Sequence, residues 1–124
     1  GSYAGRLLQV ARTSEPGQLL DRLLCAAVIE GRSCERLKLL AGALERAGDD
    51  ELSGFYRGLV QSEARHYRDY VEFARRIFGA DAVRVRLPEI CAHEAEVLAA
   101  IPGEARMHSG RLAAADDGVE RCGG

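Results

Sequence analysis

The chain has 124 residues, 47% of them hydrophobic, and a formal net charge of −2. That is enough apolar material for one small core and too little for a second. The near-neutral balance excludes a global basic surface for nucleic acid, so any RNA contact must be local, and the basic residues are almost all arginine, with Lys38 the sole lysine.

No apolar run approaches the roughly 18 residues of a membrane span, and no charged-then-apolar leader opens the chain, which points to a soluble, cytoplasmic protein. Cys25, Cys34, Cys91 and Cys122 form no CxxC pair and have no tight spacing to histidine. They are expected to be free thiols in a reducing compartment.

In chain order, residues 1–17 hold a short apolar patch, Leu7, Leu8 and Val10, and then the turn cluster Thr13-Ser14-Glu15-Pro16-Gly17. They read as a linker or short helix. From about residue 18 to 47, Leu20, Leu23, Ala27, Glu30, Cys34, Leu37, Ala41 and Leu44 follow the spacing of one helical seam, with Arg22, Arg32, Arg36 and Arg46 off it. Glu30 is a carboxylate in mid-seam, beside the small residues Gly31 and Cys34. Gly48 suits a helix end and Asp49 or Asp50 the cap of the next helix, so two long helices should run antiparallel.

The second long helix, about 51–78, carries Leu52, Tyr56, Leu59, Glu63, His66, Tyr70, Phe73 and Ile77 at alternating spacings of four and three. This stripe is expected to face the core. Glu63 and His66 lie one turn apart on it, and both midpoints come level with Glu30. A carboxylate among apolar residues requires a partner, a counter-ion or a metal. Arg32 or Arg65 would serve as the counter-ion.

Residues 80–87 read as an amphipathic connector with Arg84 and Arg86, and Pro88 as the first turn of a third helix, 88–100, whose apolar side includes Glu94. Residues 18–102 thus form one helical unit, and 103–124 a tail with weak periodicity. Arg75, Arg76, Arg84, Arg86, Arg106 and Arg111 are either a local phosphate-contacting strip or a solvated face. His108 has no periodic context.

A Glu from one helix and Glu-x-x-His from its neighbour make up half of the ligand set of four-helix di-iron and di-manganese proteins, three of six ligands. The stretches Ile29–Leu37, Phe55–Leu59, Ser62–Tyr70 and Arg106–Gly110 resemble, in order and spacing, the C-terminal half of the MiaE tRNA hydroxylases, and the similarity runs over residues 3–110. The resemblance implies an all-α, ferritin-like four-helix-bundle architecture, of which this chain would form half. It also implies a non-haem di-iron monooxygenase, fed by O₂ and an electron donor not identified by the sequence. Such an enzyme hydroxylates the isopentenyl group of 2-methylthio-N6-isopentenyl-adenosine beside the tRNA anticodon. By that resemblance Glu30 is the single-Glu iron ligand, Glu63 the bridging carboxylate and His66 the imidazole ligand. Tyr70, Glu94 and Arg65 are candidates for the surroundings of the site.

The other Glu and the other Glu-x-x-His of the family have no counterpart in the chain. His93, Glu94 and Glu96 on the short third helix are weak substitutes, because Ile90 stands where an acid would precede His93. The expectation is a C-terminal part of a longer hydroxylase, whose missing N-terminal half completes the site, or a half-protein that pairs with a second copy as a homodimer. The alternatives are a ferritin-like metal-binding or storage module and a non-catalytic helical interaction domain.

Overall fold

The computed structural model describes residues 2–101. Among them all the regular secondary structure is α-helical, with α1 Tyr3–Leu8, α2 Gly17–Arg46, α3 Asp50–Phe78 and α4 Ala80–Ala99. The candidate residues His108, Arg106 and Arg111, and Cys122, lie outside the described residues.

The long hairpin forms where the capping residues call for it. Gly48 takes φ +86°, the left-handed conformation that ends α2 without steric cost. The Asp49 carboxylate then accepts the Leu52 backbone N–H at 3.1 Å, and Asp50 and Glu51 follow in the first turn, where the helix dipole favours acids. Pairs across α2 and α3 run in opposite directions. Ser53 Oγ donates to the Ala41 carbonyl at 2.8 Å, Cys34 Sγ lies 3.7 Å from the Val60 carbonyl, and the ring of Tyr67 sits against Gly31. The two helices are antiparallel and in contact over most of their length.

The seam expected for α2 is largely the observed one, since Leu20, Ala27, Cys34 and Ala41 are buried and Leu23, Glu30, Leu37 and Leu44 are half-buried. On α3 the inner face is displaced by one residue. Ser53, Ala64, Tyr67, Val71 and Ala74 are the buried positions, whereas Leu52, Leu59, Phe73 and Ile77 are exposed. One residue is about 100° of rotation. The small residues Ser53, Ala64 and Ala74 let α3 approach α2 closely, and the large apolar residues line the adjacent flank, which nothing covers among the described residues.

The third long helix also differs from expectation. It begins at Ala80, directly after Gly79 at φ +91°, and Pro88 lies inside it. Pro88 removes one backbone N–H, and the Arg84 carbonyl that would have accepted it belongs to an exposed turn that water can satisfy. The stretch read as a connector is therefore helical, and buries Val83 and Leu87.

Two ionic clusters fix α1 and α4 to the hairpin. Asp21, fully buried on α2, receives two bonds from the Arg86 guanidinium, at 2.9 Å each, and three from Arg12, at 2.9–3.0 Å. Arg86 also donates to the Val10 carbonyl at 3.1 Å, so it is a tie between α4 and the segment after α1 and not part of a phosphate-contacting strip. On the other cluster, Glu94 of α4 accepts from Arg32 of α2 at 3.1 and 3.2 Å and from the Tyr3 hydroxyl at 2.6 Å. His93 contacts the Arg6 carbonyl at 3.0 Å. Cys25 and Cys91 are free thiols.

Candidate metal centre

Glu30 is the fourteenth residue of α2, and Glu63 the fourteenth of α3, so the antiparallel hairpin sets both at mid-length. His66 Nδ1 lies 3.8 Å from Glu30 Oε2 and 3.7 Å from Glu63 Oε1. One donor atom from each of the three side chains falls within a span of 4.8 Å. The i, i+3 spacing stacks Glu63 and His66 one turn apart on α3, and the hairpin register brings Glu30 opposite them.

The cluster sits at the edge of the packed interior. The side chains of Glu30 and Glu63 are 24% and 25% exposed and that of His66 is 50% exposed. This follows from the displaced inner face of α3: the residues behind the cluster are Ala64 and Tyr67, and the cluster itself opens on the uncovered flank. Gly31 supports the arrangement, because a Cβ there would come within 3.2 Å of the Tyr67 ring. The bare backbone allows α2 and α3 to close behind the carboxylates.

Two carboxylates this close cannot both stay ionised cheaply. Burial, then the hydrogen bond and the charge of Glu63, push Glu30 up to about 7, against a smaller opposing effect of His66. Neither arginine relieves it, since Arg32 is turned to Glu94 and Arg65 is exposed. Two carboxylates and an imidazole form a hard, mixed oxygen and nitrogen donor set, which suits iron, manganese or zinc. The close Glu30–Glu63 pair is what a divalent cation would neutralise, so the residues fit a metal.

The remaining candidates are placed apart from this cluster or beside it. Tyr70 is half-buried one turn beyond His66 and packs against the main core. Glu94 belongs to the buried ion pair with Arg32, and His93 to α1. Tyr67, which sequence periodicity put off the seam, is buried directly behind the cluster, and that burial raises its hydroxyl pKa. Its signal in the sequence was the small residue opposite, Gly31. Phe55 and Tyr56 stack edge to face, with ring centroids 5.4 Å apart, near the turn. No described helix is long and apolar enough to cross a membrane.

The family described as tRNA-(MS[2]IO[6]A)-hydroxylase (MiaE) matches residues 1–109. A protein of Salmonella typhimurium named tRNA 2-(methylsulfanyl)-N(6)-isopentenyladenosine(37) hydroxylase is 43% identical over 112 residues, which is 90% of this chain and 40% of that protein. The protein of the same name from Pseudomonas putida is 42% identical over 111 residues, 89% of this chain and 52% of that protein. The chain thus spans about half the length of the curated relatives it matches. No solved structure matches.

Proposed function

The chain belongs to the MiaE family, and from that premise we propose that it forms half of a di-iron hydroxylase acting on the isopentenyl group of a hypermodified tRNA adenosine. The observation that supports this most is the convergence of Glu30, Glu63 and His66 at the middle of the hairpin. Glu30 and Glu63 would hold iron through carboxylate oxygens and His66 through an imidazole nitrogen. Iron, when bound, would supply the activation of O₂ that insertion of oxygen into an allylic C–H bond requires.

The chain's own residues supply position and environment. Tyr67, packed on Gly31, closes the site from behind, so a substrate approaches from the uncovered flank. On that flank Leu59 lies one turn before Glu63 and Tyr70 one turn after His66, an apolar surround that suits a branched alkenyl group better than a charged one. Covering the flank would also exclude water from the carboxylates.

The test is incubation of the chain with ferrous iron, a reductant, O₂ and tRNA carrying 2-methylthio-N6-isopentenyl-adenosine, followed by mass spectrometry of the nucleosides. The expected product carries one added oxygen on the isopentenyl group, and none forms with Glu63→Ala or His66→Ala. Metal binding without oxygen transfer would favour the storage-module reading. Hydroxylation that survives in both variants would remove these residues from the site.

A further inference from the structure

Although the chain carries a net charge of −2, its exposed charge on α3 is strongly biased. Between Gly54 and Arg76, outside the metal cluster, the exposed charges of the helix are Arg57, Arg65, Arg68, Arg75 and Arg76 against Asp69 and Glu72. Glu72 pairs with Arg76 at 3.2 Å, and Glu45 of α2 pairs with Arg57. Arg65, Arg68 and Arg75 form no ion pair among the described residues. At about 100° per residue, Arg65 and Arg76 lie about a quarter-turn round the helix from His66, with Arg68 and Arg75 further round in the same sense. The arginines thus form a ridge that borders the flank on which the cluster opens, without being part of that flank. The near edge of the ridge also carries Gly54 and Gly58, one turn apart, and a Cβ at either would meet nothing within 4 Å. Glycine weakens a helix interior, and no contact in the described fold requires it at these two positions. What bare backbone offers there is close approach by another molecule.

We infer that this ridge of α3 tracks the phosphate backbone of an RNA strand. The inference rests on the proposed function, whose substrate is a tRNA nucleoside, and extends it to how the RNA lies on the chain. Guanidinium groups match phosphate oxygens in charge and in geometry. From Gly54 to Arg76 the ridge runs about 33 Å, long enough for several successive phosphates. Sugar and phosphate can pack on the bare backbone at Gly54 and Gly58. A nucleotide whose phosphate rests on Arg65 then turns its base round the side of α3 toward His66, and its alkenyl group meets Leu59 and Tyr70. Backbone contacts of this kind position the strand and carry no sequence information, so the choice of nucleoside is left to the flank. An acidic protein surface would meet the same arginines, but continuity with the flank proposed to take the alkenyl group favours the RNA that bears it.

The test is fluorescence anisotropy of a labelled tRNA anticodon stem-loop titrated with the full chain, without metal, at several salt concentrations. Arg65→Gln, Arg68→Gln and Arg75→Gln combined should weaken binding at least about tenfold and reduce the slope of log affinity against log salt by about two to three. The same charge removed from exposed positions of α2, as Arg22→Gln, Arg36→Gln and Arg46→Gln combined, should change affinity less than about twofold. Gly58→Gln should keep the helical circular dichroism signal and lose RNA affinity. Unchanged binding in the ridge triple or in Gly58→Gln, or an equal loss in the two triples, overturns the inference. Absence of RNA binding by the unaltered chain also overturns it and leaves the ridge to an acidic protein surface. Iron titration of the same samples separates the two readings. A chain that binds iron but no RNA loses only the ridge, and a chain that binds RNA through the ridge but no iron loses only the metal reading.

Discussion

Replacing Glu94 with leucine should be the most damaging single change in the described fold outside the metal cluster. Glu94 is 1% exposed and Arg32 is fully buried, and the guanidinium meets the carboxylate through two nitrogens at 3.1 and 3.2 Å. Glu94→Leu deprives a buried positive charge of this carboxylate and strips the Tyr3 hydroxyl of its acceptor at 2.6 Å. Breaking one side of a buried ion pair costs about 3–5 kcal/mol. A domain of this size has roughly 5–15 kcal/mol in total, and each kcal/mol moves Tm by about 4 °C, so Tm should fall by about 12–20 °C. Urea unfolding followed by far-ultraviolet circular dichroism measures the loss. The double variant Arg32→Met with Glu94→Leu should recover most of it, because an apolar pair of similar volume needs no desolvation offset. A loss below about 1 kcal/mol, or a double variant no more stable than the single one, would refute the reasoning.

Further outcomes are specific to other positions. Burial alone would raise the Asp21 carboxyl, but the bonds from Arg86 and Arg12 reverse that and hold it well below the usual carboxylate range. Its contribution is therefore present above the unfolded value of about 3.9 and is lost as pH falls below it, and Asp21→Asn should flatten the acid limb of the stability curve. Gly31→Val should cost about 1–3 kcal/mol in urea unfolding by driving a branched side chain into the Tyr67 ring. Gly31→Ala should be close to neutral there, since a gain of about 1 kcal/mol in helix propensity offsets the 3.2 Å contact. Glu30, raised to about 7, holds a proton in the metal-free fold that the unfolded chain releases near pH 4.3. Metal-free stability should accordingly decline as pH rises between those values, and iron affinity by titration should weaken about tenfold per pH unit below 7 and level off above it.

The hairpin and the convergence of Glu30, Glu63 and His66 were legible in the sequence because local rules determine them. Gly48 and Asp49 mark the turn, the spacing from Glu63 to His66 stacks two side chains, and near-equal helix lengths bring Glu30 level with them. The inner face of α3 was not legible in the same way. Two adjacent flanks of that helix are suited to burial, one by small residues and one by large apolar residues, and periodicity favours the large ones. Only the close approach at Gly31 and Ala64 decides for the other. The extent of α4 was obscured by Pro88, which reads as a helix start when its exposed setting is unknown. The Arg32–Glu94 pair spans 62 positions, and nothing in the local sequence tells Arg32 to choose Glu94 over Glu30.

The central claim is that Glu30, Glu63 and His66 together hold iron. X-ray absorption at the iron edge, on the chain loaded anaerobically with ferrous iron, addresses it most directly. The account predicts a shell of oxygen and nitrogen donors with an imidazole scattering signature that disappears in His66→Ala, and bound iron that falls in Glu30→Ala and Glu63→Ala. An iron environment unchanged by all three substitutions would contradict it.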